Sequence, residues 1–342
     1  MAEQLAERFH VPEFCSDLDE MLRLAKPDVV HITTPPQSHF NLARECLQAG
    51  AHVYLEKPFA ITASETERLI VLAEERGLKM TAGHNYQFTS EMLEMRQKVK
   101  EGFLDGDPIH MESYWSYDLG DLSYVGPVLG NRSHWVRQLP GQLFHNIISH
   151  GIAKLAEFLA DELSHLEATA HQSPQLQLLG AGDVLDELRV LIRDRKGTTA
   201  FFCFSTQIKG INQLRLYGAA NSLVADIITG SLIRNESRAY KSYLTYFIPP
   251  LRQGSEHFRN AIRSLTAFLR QQLYQDFGMK ELIDRFYECV RGRGVVPIPY
   301  REIVLTARIM DEIFAQIGPT EPPDIANSIV DQDSGYHSQV KV

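Results

Sequence analysis

Two short stretches of this chain place residues where their type and spacing could do chemistry. The first is His52-Val53-Tyr54-Leu55-Glu56-Lys57-Pro58, a β-branched and aromatic run that ends on a lysine locked between a glutamate and a proline. A partly buried ammonium in that position could hydrogen-bond a substrate hydroxyl and steady the negative charge left as its proton departs. A solvated lysine in a rigid turn is the plainer reading. The second stretch is Asn146-Ile147-Ile148-Ser149-His150. On a helix, positions 146 and 150 share a face, so both can point into one cleft, and an imidazole with an ordinary pKa near 6.5 can act as a general base there. A satisfied core histidine is the alternative. His145 lies about 100° round the helix from Asn146 and should face elsewhere. The 13 histidines form chance pairs such as His31 with His39, but no His-Glu-x-x-His or equivalent set, so no metal site is expected.

Positioning these groups requires a sheet. Runs beginning at Asp28 (DVVHITT), His52 (HVYLE) and Leu78 (LKMTAG) read as strands. Between them, residues 38–49 and 62–76 read as amphipathic helices, the second opening on the capping-box pattern Thr62-x-x-Glu65 and stopping at Gly77. Strands alternating with helices at about 25-residue intervals form βαβ units, hence a parallel sheet with right-handed crossovers. Only helical segments precede the first strand, at residues 2–9 and from Ser16, where Ser16-x-x-Asp19 suggests a cap. After Asp107 the texture changes to long alternating runs at 109–117, 165–171, 185–193, 198–208, 214–217 and 223–228, which suggest an antiparallel sheet. Helical stretches at 146–159, 255–273, 280–290 and 301–317 are expected to cover one of its faces. The fold class is thus α/β plus α+β: an incomplete Rossmann-type parallel-sheet domain over residues 1–106, then a domain with a large, mainly antiparallel sheet over 107–317. A Pro-, Asp- and Ser-rich tail over 318–342 is expected to be disordered.

The motifs Ile32-Thr33-Thr34-Pro35-Pro36-x-x-His39, Ala49-Gly50-Ala51-His52-Val53 with Glu56-Lys57-Pro58, and Gly83-His84-Asn85 succeed one another in an order that resembles the Gfo/Idh/MocA family of NAD(P)-dependent sugar oxidoreductases. A second family signature, a W-R pair, glycines and D-x-x-x-H, is matched by Trp135-Val136-Arg137, Pro140-Gly141 and 146–150, with Asn146 where the family usually has Asp. The resemblance implies hydride transfer between a nicotinamide, NAD or NADP, and a hydroxyl or keto carbon of a sugar derivative. It implies catalytic roles for Lys57, His150 and Asn146, although an asparagine cannot take a proton or hold a charge. It implies cofactor contacts at Thr34, Pro35, Pro36, His39, Glu56, Lys57 and Asn85, and a Lys-Pro bond that can be cis. Tyr86, Gln87, Tyr117, Trp135 and Arg137 are candidates for substrate contacts: Trp135 could stack on a sugar ring and Arg137 could pair with a carboxylate or phosphate, or either could pack a long loop.

A dinucleotide site of this kind needs G-x-G-x-x-G between a strand and a helix, because only glycine lets backbone N–H groups approach the pyrophosphate. The chain's nearest match, Gly180-x-Gly182-x-x-Leu185, lies among the alternating runs and reads as a turn. Three explanations stay open: an oxidoreductase shortened at its start, a cofactor-free sugar- or partner-binding protein derived from the family, or a structural subunit of a homologous oxidoreductase.

A formal charge of −9, from 34 basic and 43 acidic residues, gives no field that would gather nucleic acid. The four cysteines are scattered without a C-x-x-C pair, which fits a reducing compartment, and neither a signal peptide nor a membrane-length apolar run is seen, so the cytoplasm is expected. Both faces of the run 201–206 are apolar, which suggests that the second sheet is buried against another subunit in a homo-oligomer.

Overall fold

The computed structural model describes residues 2–120, 122–178, 183–271 and 277–318. The tail beyond Gly318 and the turn at Gly180 and Gly182 lie outside the described residues. The chain opens with α1 (Ala2–Phe9) and α2 (Leu18–Ala25), followed by β1 (Val29–Ile32), α3 (His39–Gln48), β2 (His52–Leu55), α4 (Ala63–Glu75), β3 (Met80–Ala82) and α5 (Ser90–Lys100). The strands form a parallel three-stranded sheet in the order β1-β2-β3. The expected capping box on α4 forms: Thr62 Oγ1 accepts from the Glu65 backbone N–H at 3.2 Å, while Glu65 Oε2 accepts from the Ile61 N–H at 3.0 Å. The cap of α2 falls one residue later than expected. Asp17, not Ser16, takes the extended cap conformation and accepts from the Glu20 N–H at 2.8 Å, since a charged oxygen suits an orphan helix donor. The turn from α3 into β2 needs the left-handed backbone of Gly50, at φ +93°.

The remainder comprises β4 (His110–Ser116), α6 (Leu122–Gly130), α7 (Gln142–Ile147), α8 (Ser149–Ala156), β5 (Leu163–His171), α9 (Pro174–Leu178), β6 (Glu187–Asp194), β7 (Thr199–Ser205), β8 (Asn212–Tyr217), β9 (Asn221–Asp226), β10 (Ser231–Glu236), α10 (Ile248–Leu269), α11 (Met279–Val290) and α12 (Tyr300–Ile317). Seven strands form one sheet in the order β10-β9-β8-β4-β7-β6-β5, antiparallel except where β4 pairs with β7. The fold class is as the sequence suggests, with two differences. The strand β10 was not anticipated, because Ser231-Leu-Ile-Arg-Asn-Glu alternates poorly; its pairing with β9 and the packing of α10 complete it. The four helical stretches also do not share one task. The helices α8 and α12 cover the second sheet, but α11 returns to the first, where Leu282 and Phe286 join the core of Val53, Leu55 and Met80. α10 packs beside edge strand β10 and leaves much of its own apolar surface exposed.

One contact sets how closely α8 can approach the sheet. Ser113 Oγ on β4 donates to the Gly151 carbonyl at 3.0 Å, and a Cβ added at Gly151 would lie 2.4 Å from the Phe202 ring on β7. Gly151→Ala should therefore destabilise the fold, because overpacking costs about 1–3 kcal/mol while the gain in helix propensity is at most about 1 kcal/mol. Urea unfolding checks this; an unchanged or raised midpoint would show that the interface relaxes freely.

Candidate active site at the carboxyl ends of the parallel strands

The parallel sheet delivers Glu56-Lys57-Pro58 from the end of β2 and Gly83-His84-Asn85 from the end of β3 to one rim, the edge at which open α/β sheets bind ligands. The Lys57-Pro58 bond is cis. The Glu56 carboxylate turns back over its own strand end, accepting from the Lys57 N–H at 3.1 Å. Gly83 makes room for it, since a Cβ there would lie 2.8 Å from Glu56 Oε2. Lys57 then reaches across to the second sheet's helices, and its Nζ donates to the main-chain carbonyl of Asn146 at 2.9 Å. Burial lowers the Lys57 pKa, with the Glu56 charge opposing.

The asparagine side chain is not what holds Lys57. A carbonyl at 146 would do the same for any residue, so the exchange of Asp for Asn leaves this contact intact. Positions 146 and 150 fall on two short helices, α7 and α8, meeting at Ile148, rather than on one helix over 146–159. The departing pair still converges on the rim. His150 is enclosed by aromatic rings: it stacks on Trp115 at 5.3 Å, meets Tyr86 edge-on at 4.7 Å and lies 6.0 Å from the His84 ring. Its Nδ1 is buried without a partner, as are both ring nitrogens of His84. Desolvation holds the His150 pKa well below its ordinary value, aided by the Lys57, His84 and Lys154 charges, and drives that of His84 down to about 3. Both rings are therefore neutral at physiological pH, and an unprotonated imidazole can accept a proton.

His145 faces elsewhere, stacked on Phe314 at 4.9 Å. It shares with His84, Ser149 and Pro58 a narrow cleft behind the rim of about 10 Å³, room for roughly one water. The ring nitrogens of His84 and His145 and the Ser149 hydroxyl all lack protein partners, which gives such a water its hydrogen bonds.

The other sequence candidates divide by what already occupies them. His39 is fully buried with its ring nitrogens 2.8 Å from the Thr34 carbonyl and 3.0 Å from the Pro58 carbonyl; burial lowers its pKa, so the neutral ring donates to one of the two, wedged between the Pro-Pro loop and the Lys57-Pro58 turn rather than facing a ligand. Thr34 pairs with Ser38 at 2.6 Å, Pro36 is buried and Pro35 stays exposed on the loop. Asn85 donates to the Phe277 carbonyl at 3.1 Å. Gln87 is buried and donates to Glu157 Oε2 at 3.1 Å, while its Oε1 lacks a protein partner. Trp135 is half-buried, and its carbonyl accepts from Gln37 at 2.8 Å, which ties it to the Pro-Pro loop. Arg137 turns into its own loop, donating to both Asp183 oxygens at 2.6 and 2.7 Å and to the Leu129 carbonyl at 3.0 Å; of the two readings offered for it, this is the packing one. Tyr117 is partly exposed just past the end of β4.

Trp115 and Lys154 belong to the cluster and were not singled out from the sequence. Lys154 is completely buried, donates to Asn212 Oδ1 at 2.7 Å, and sits 5.0 Å from the Trp115 ring centroid. It lies four residues after His150, so continuing the helical count by one turn would have found it. Burial lowers its pKa to about 7, opposed by the charges of Glu91 and Asp226.

The parallel three-stranded sheet, the seven-stranded sheet and the rim between them can be compared with known proteins. Residues 1–84 match the family model described as "Oxidoreductase family, NAD-binding Rossmann fold", the Gfo/Idh/MocA family. The chain is 31% identical over 115 residues to the scyllo-inositol 2-dehydrogenase (NADP(+)) of Bacillus subtilis, 34% of this chain and 32% of that one. It is 38% identical over 90 residues to the UDP-N-acetylglucosamine 3-dehydrogenase of Acidithiobacillus ferrooxidans, 26% of this chain and 27% of that one. The alignments with such curated relatives span about a third of their length. The solved structure of the Acidithiobacillus enzyme superposes with a TM-score of 0.68 at 18% identity, covering 92% of this chain and 86% of that one. A WlbA dehydrogenase from Chromobactrium violaceum, solved in complex with NADH and UDP-GlcNAcA, superposes with a TM-score of 0.67 at 16% identity, covering 92% and 82%. The Gfo/Idh/MocA resemblance thus holds in sequence over the first 84 residues and in fold over most of the chain.

The buried lysine gives a pH-dependent signature. Lys154 is protonated in both the folded and unfolded states below pH 7; between about 7 and its ordinary 10.5 the unfolded chain holds the extra proton, so its contribution to stability rises with pH over that window. Lys154→Met should flatten the rise in unfolding free energy between pH 7 and 9 by up to about 1.4 kcal/mol per pH unit. Urea titrations at several pH values measure it, and an identical slope in the variant would show that Lys154 titrates normally.

Proposed function

We propose that this chain acts as an NAD(P)-dependent oxidoreductase that moves a hydride between a nicotinamide and a hydroxyl or keto carbon of a sugar or sugar derivative. The observation that supports it best is the meeting of Lys57 with His150 at the strand-end rim, where one buried ammonium and several neutral, unpartnered imidazole nitrogens wait on a ligand. Such orphaned polar atoms suit a hydroxyl-bearing molecule, because each leaves a hydrogen bond to be made. The dehydrogenase names of the relatives, inositol and UDP-N-acetylglucosamine enzymes among them, point to the same substrate class. The nicotinamide, when bound, supplies the hydride acceptor. The Pro35 loop and the Glu56-Lys57 strand end border the place for its ring.

In this reading the Lys57 ammonium donates to the substrate oxygen and steadies its developing charge, giving up the Asn146 carbonyl to do so. His150 Nδ1 takes the hydroxyl proton; its desolvated setting keeps it unprotonated until then. Trp115 and Tyr86 fix the ring's orientation by enclosing it. Trp135 and Tyr117 would select the substrate, and Asn146 would serve as a hydrogen-bonding rather than a proton-accepting neighbour. We assign the catalytic unit to residues 1–106 and 107–317, with α11 returned to the first. We further infer a homo-oligomer working in a reducing cytoplasm; the four cysteines are all free, and among the described residues no helix is long and apolar enough to cross a membrane.

The uncharged Asn146 favours a second reading, a cofactor-free sugar-binding protein. Calorimetric titration with NADH and NADPH, followed by turnover assays on inositols and nucleotide sugars, separates the two. The oxidoreductase reading expects binding, with Lys57→Ala and His150→Ala each lowering kcat by about 10²- to 10⁴-fold. Sugar binding without either nicotinamide would support the second reading, and unaltered turnover in both variants would move the chemistry elsewhere.

A further inference from the structure

The largest apolar feature left uncovered is one side of α10. Phe247, Leu251, Phe258, Ile262, Leu265 and Leu269 are exposed by between 49% and 73%. At 100° per residue they fall within a sector of about 60°, which Phe268, 64% exposed on the same helix, widens to about 120°. Their spacing, seven from 251 to 258 and then four, three and four to 269, is one on which a second helix can pack. With about 150–250 Å² for a large side chain, the exposed fractions amount to on the order of 800 Å². That exceeds the ~300–600 Å² usual for the largest apolar patch of a monomer and equals the ~800 Å² each partner contributes to a standard interface.

The opposite side of the helix is already spent on its own chain. Arg252 pairs with Glu236 at 2.7 Å, Arg259 with Glu256 at 2.6 Å and Arg263 with Glu94 at 2.5 Å. Those arginines are therefore committed and offer no free cationic belt to an anionic membrane surface, which an interfacial helix would need. The seam instead fits another helix, and its sequence is self-complementary. Gly254 and Ser255 interrupt the bulky residues near the middle, and a Cβ added at Gly254 would meet nothing within 4 Å. In an antiparallel pairing about a two-fold axis near residue 256, Phe258 of each copy falls opposite Gly254 of the other, and Phe247 opposite Leu265. Large residues meet small ones at the axis and apolar residues meet along the arms, as an isologous interface requires. Beside the seam, a groove of about 720 Å³ between α10 and the outer faces of β8 to β10 leaves room for side chains from the second copy.

We propose that α10 is a self-association surface on which a second copy of this chain docks, helix against antiparallel helix. The interface centres on α10 and the β8–β10 edge, away from the β7 run 201–206 from which sheet-face pairing was expected, and does not depend on the catalytic reading. Sedimentation equilibrium of the full chain at tens of micromolar tests it, comparing the native protein with Phe258→Glu and with Gly254→Leu, which fills the opening without touching the chain's own core. The native protein should sediment at twice or more the chain mass and each variant at half the native value, with circular dichroism and thermal midpoints unchanged. A native monomer would overturn the proposal, whether or not it floats with neutral phospholipid vesicles. Variants that keep the native mass would overturn it in favour of the sheet face. If Phe258→Glu fails to fold, Gly254→Leu alone decides.

Discussion

The hydrogen bond from the catalytic candidate Lys57 spans the two halves of the site. Lys57 Nζ leaves the end of β2 and donates to the Asn146 carbonyl, 89 residues further along the chain and on the helices that cover the seven-stranded sheet. Burial disfavours the ammonium, and the nearby Glu56 charge and a charge-assisted bond from its Nζ to a carbonyl of α7 oppose that cost. Everything that positions Lys57 follows from this demand. His39 braces the Pro-Pro loop against Pro58, Gly83 clears space for Glu56, and α11 closes the sheet that carries the strand.

Around that bond the protein accumulates polar groups that burial alone would not favour. His84, His145 and His150 leave five ring nitrogens without a protein partner between them, and the buried Lys154 donates to Asn212. Leaving a buried polar atom unpaired costs about 1–3 kcal/mol, so a cluster of them is unfavourable for stability and intelligible for ligand binding. The same desolvation that depresses the histidines' proton affinity holds them ready as acceptors. Lys154, one helical turn on from His150 and also against the Trp115 ring, adds a positive charge that reinforces the neutral state of His150.

The sequence made the first sheet and its rim legible because the signals there are local. A β-branched run, a capping box and a glycine turn each act within a few residues, and Lys57 and His150 could be picked from their flanks. What it did not show depends on distant partners. Arg137 looked available for an anion until Asp183, from a segment 46 residues on, was seen to hold it. His39 looked like a ligand contact, yet it is wedged between two carbonyls from different loops. The strand β10 has too little alternation to announce itself, and α11 carries the same apolar periodicity whichever sheet it covers. Lys154 was hidden by its type, since a lysine on a helix is ordinarily solvated.

The central claim is that the unpartnered imidazoles beside Lys57 are the ligand-binding surface. Selective ¹⁵N-histidine spectra of the chain, recorded while titrating NADH and then a nucleotide sugar, test it directly. The account predicts that the His84 and His150 ring nitrogens shift on binding while those of His145, stacked behind on Phe314, move least. Saturable binding that leaves the His84 and His150 resonances in place would contradict it.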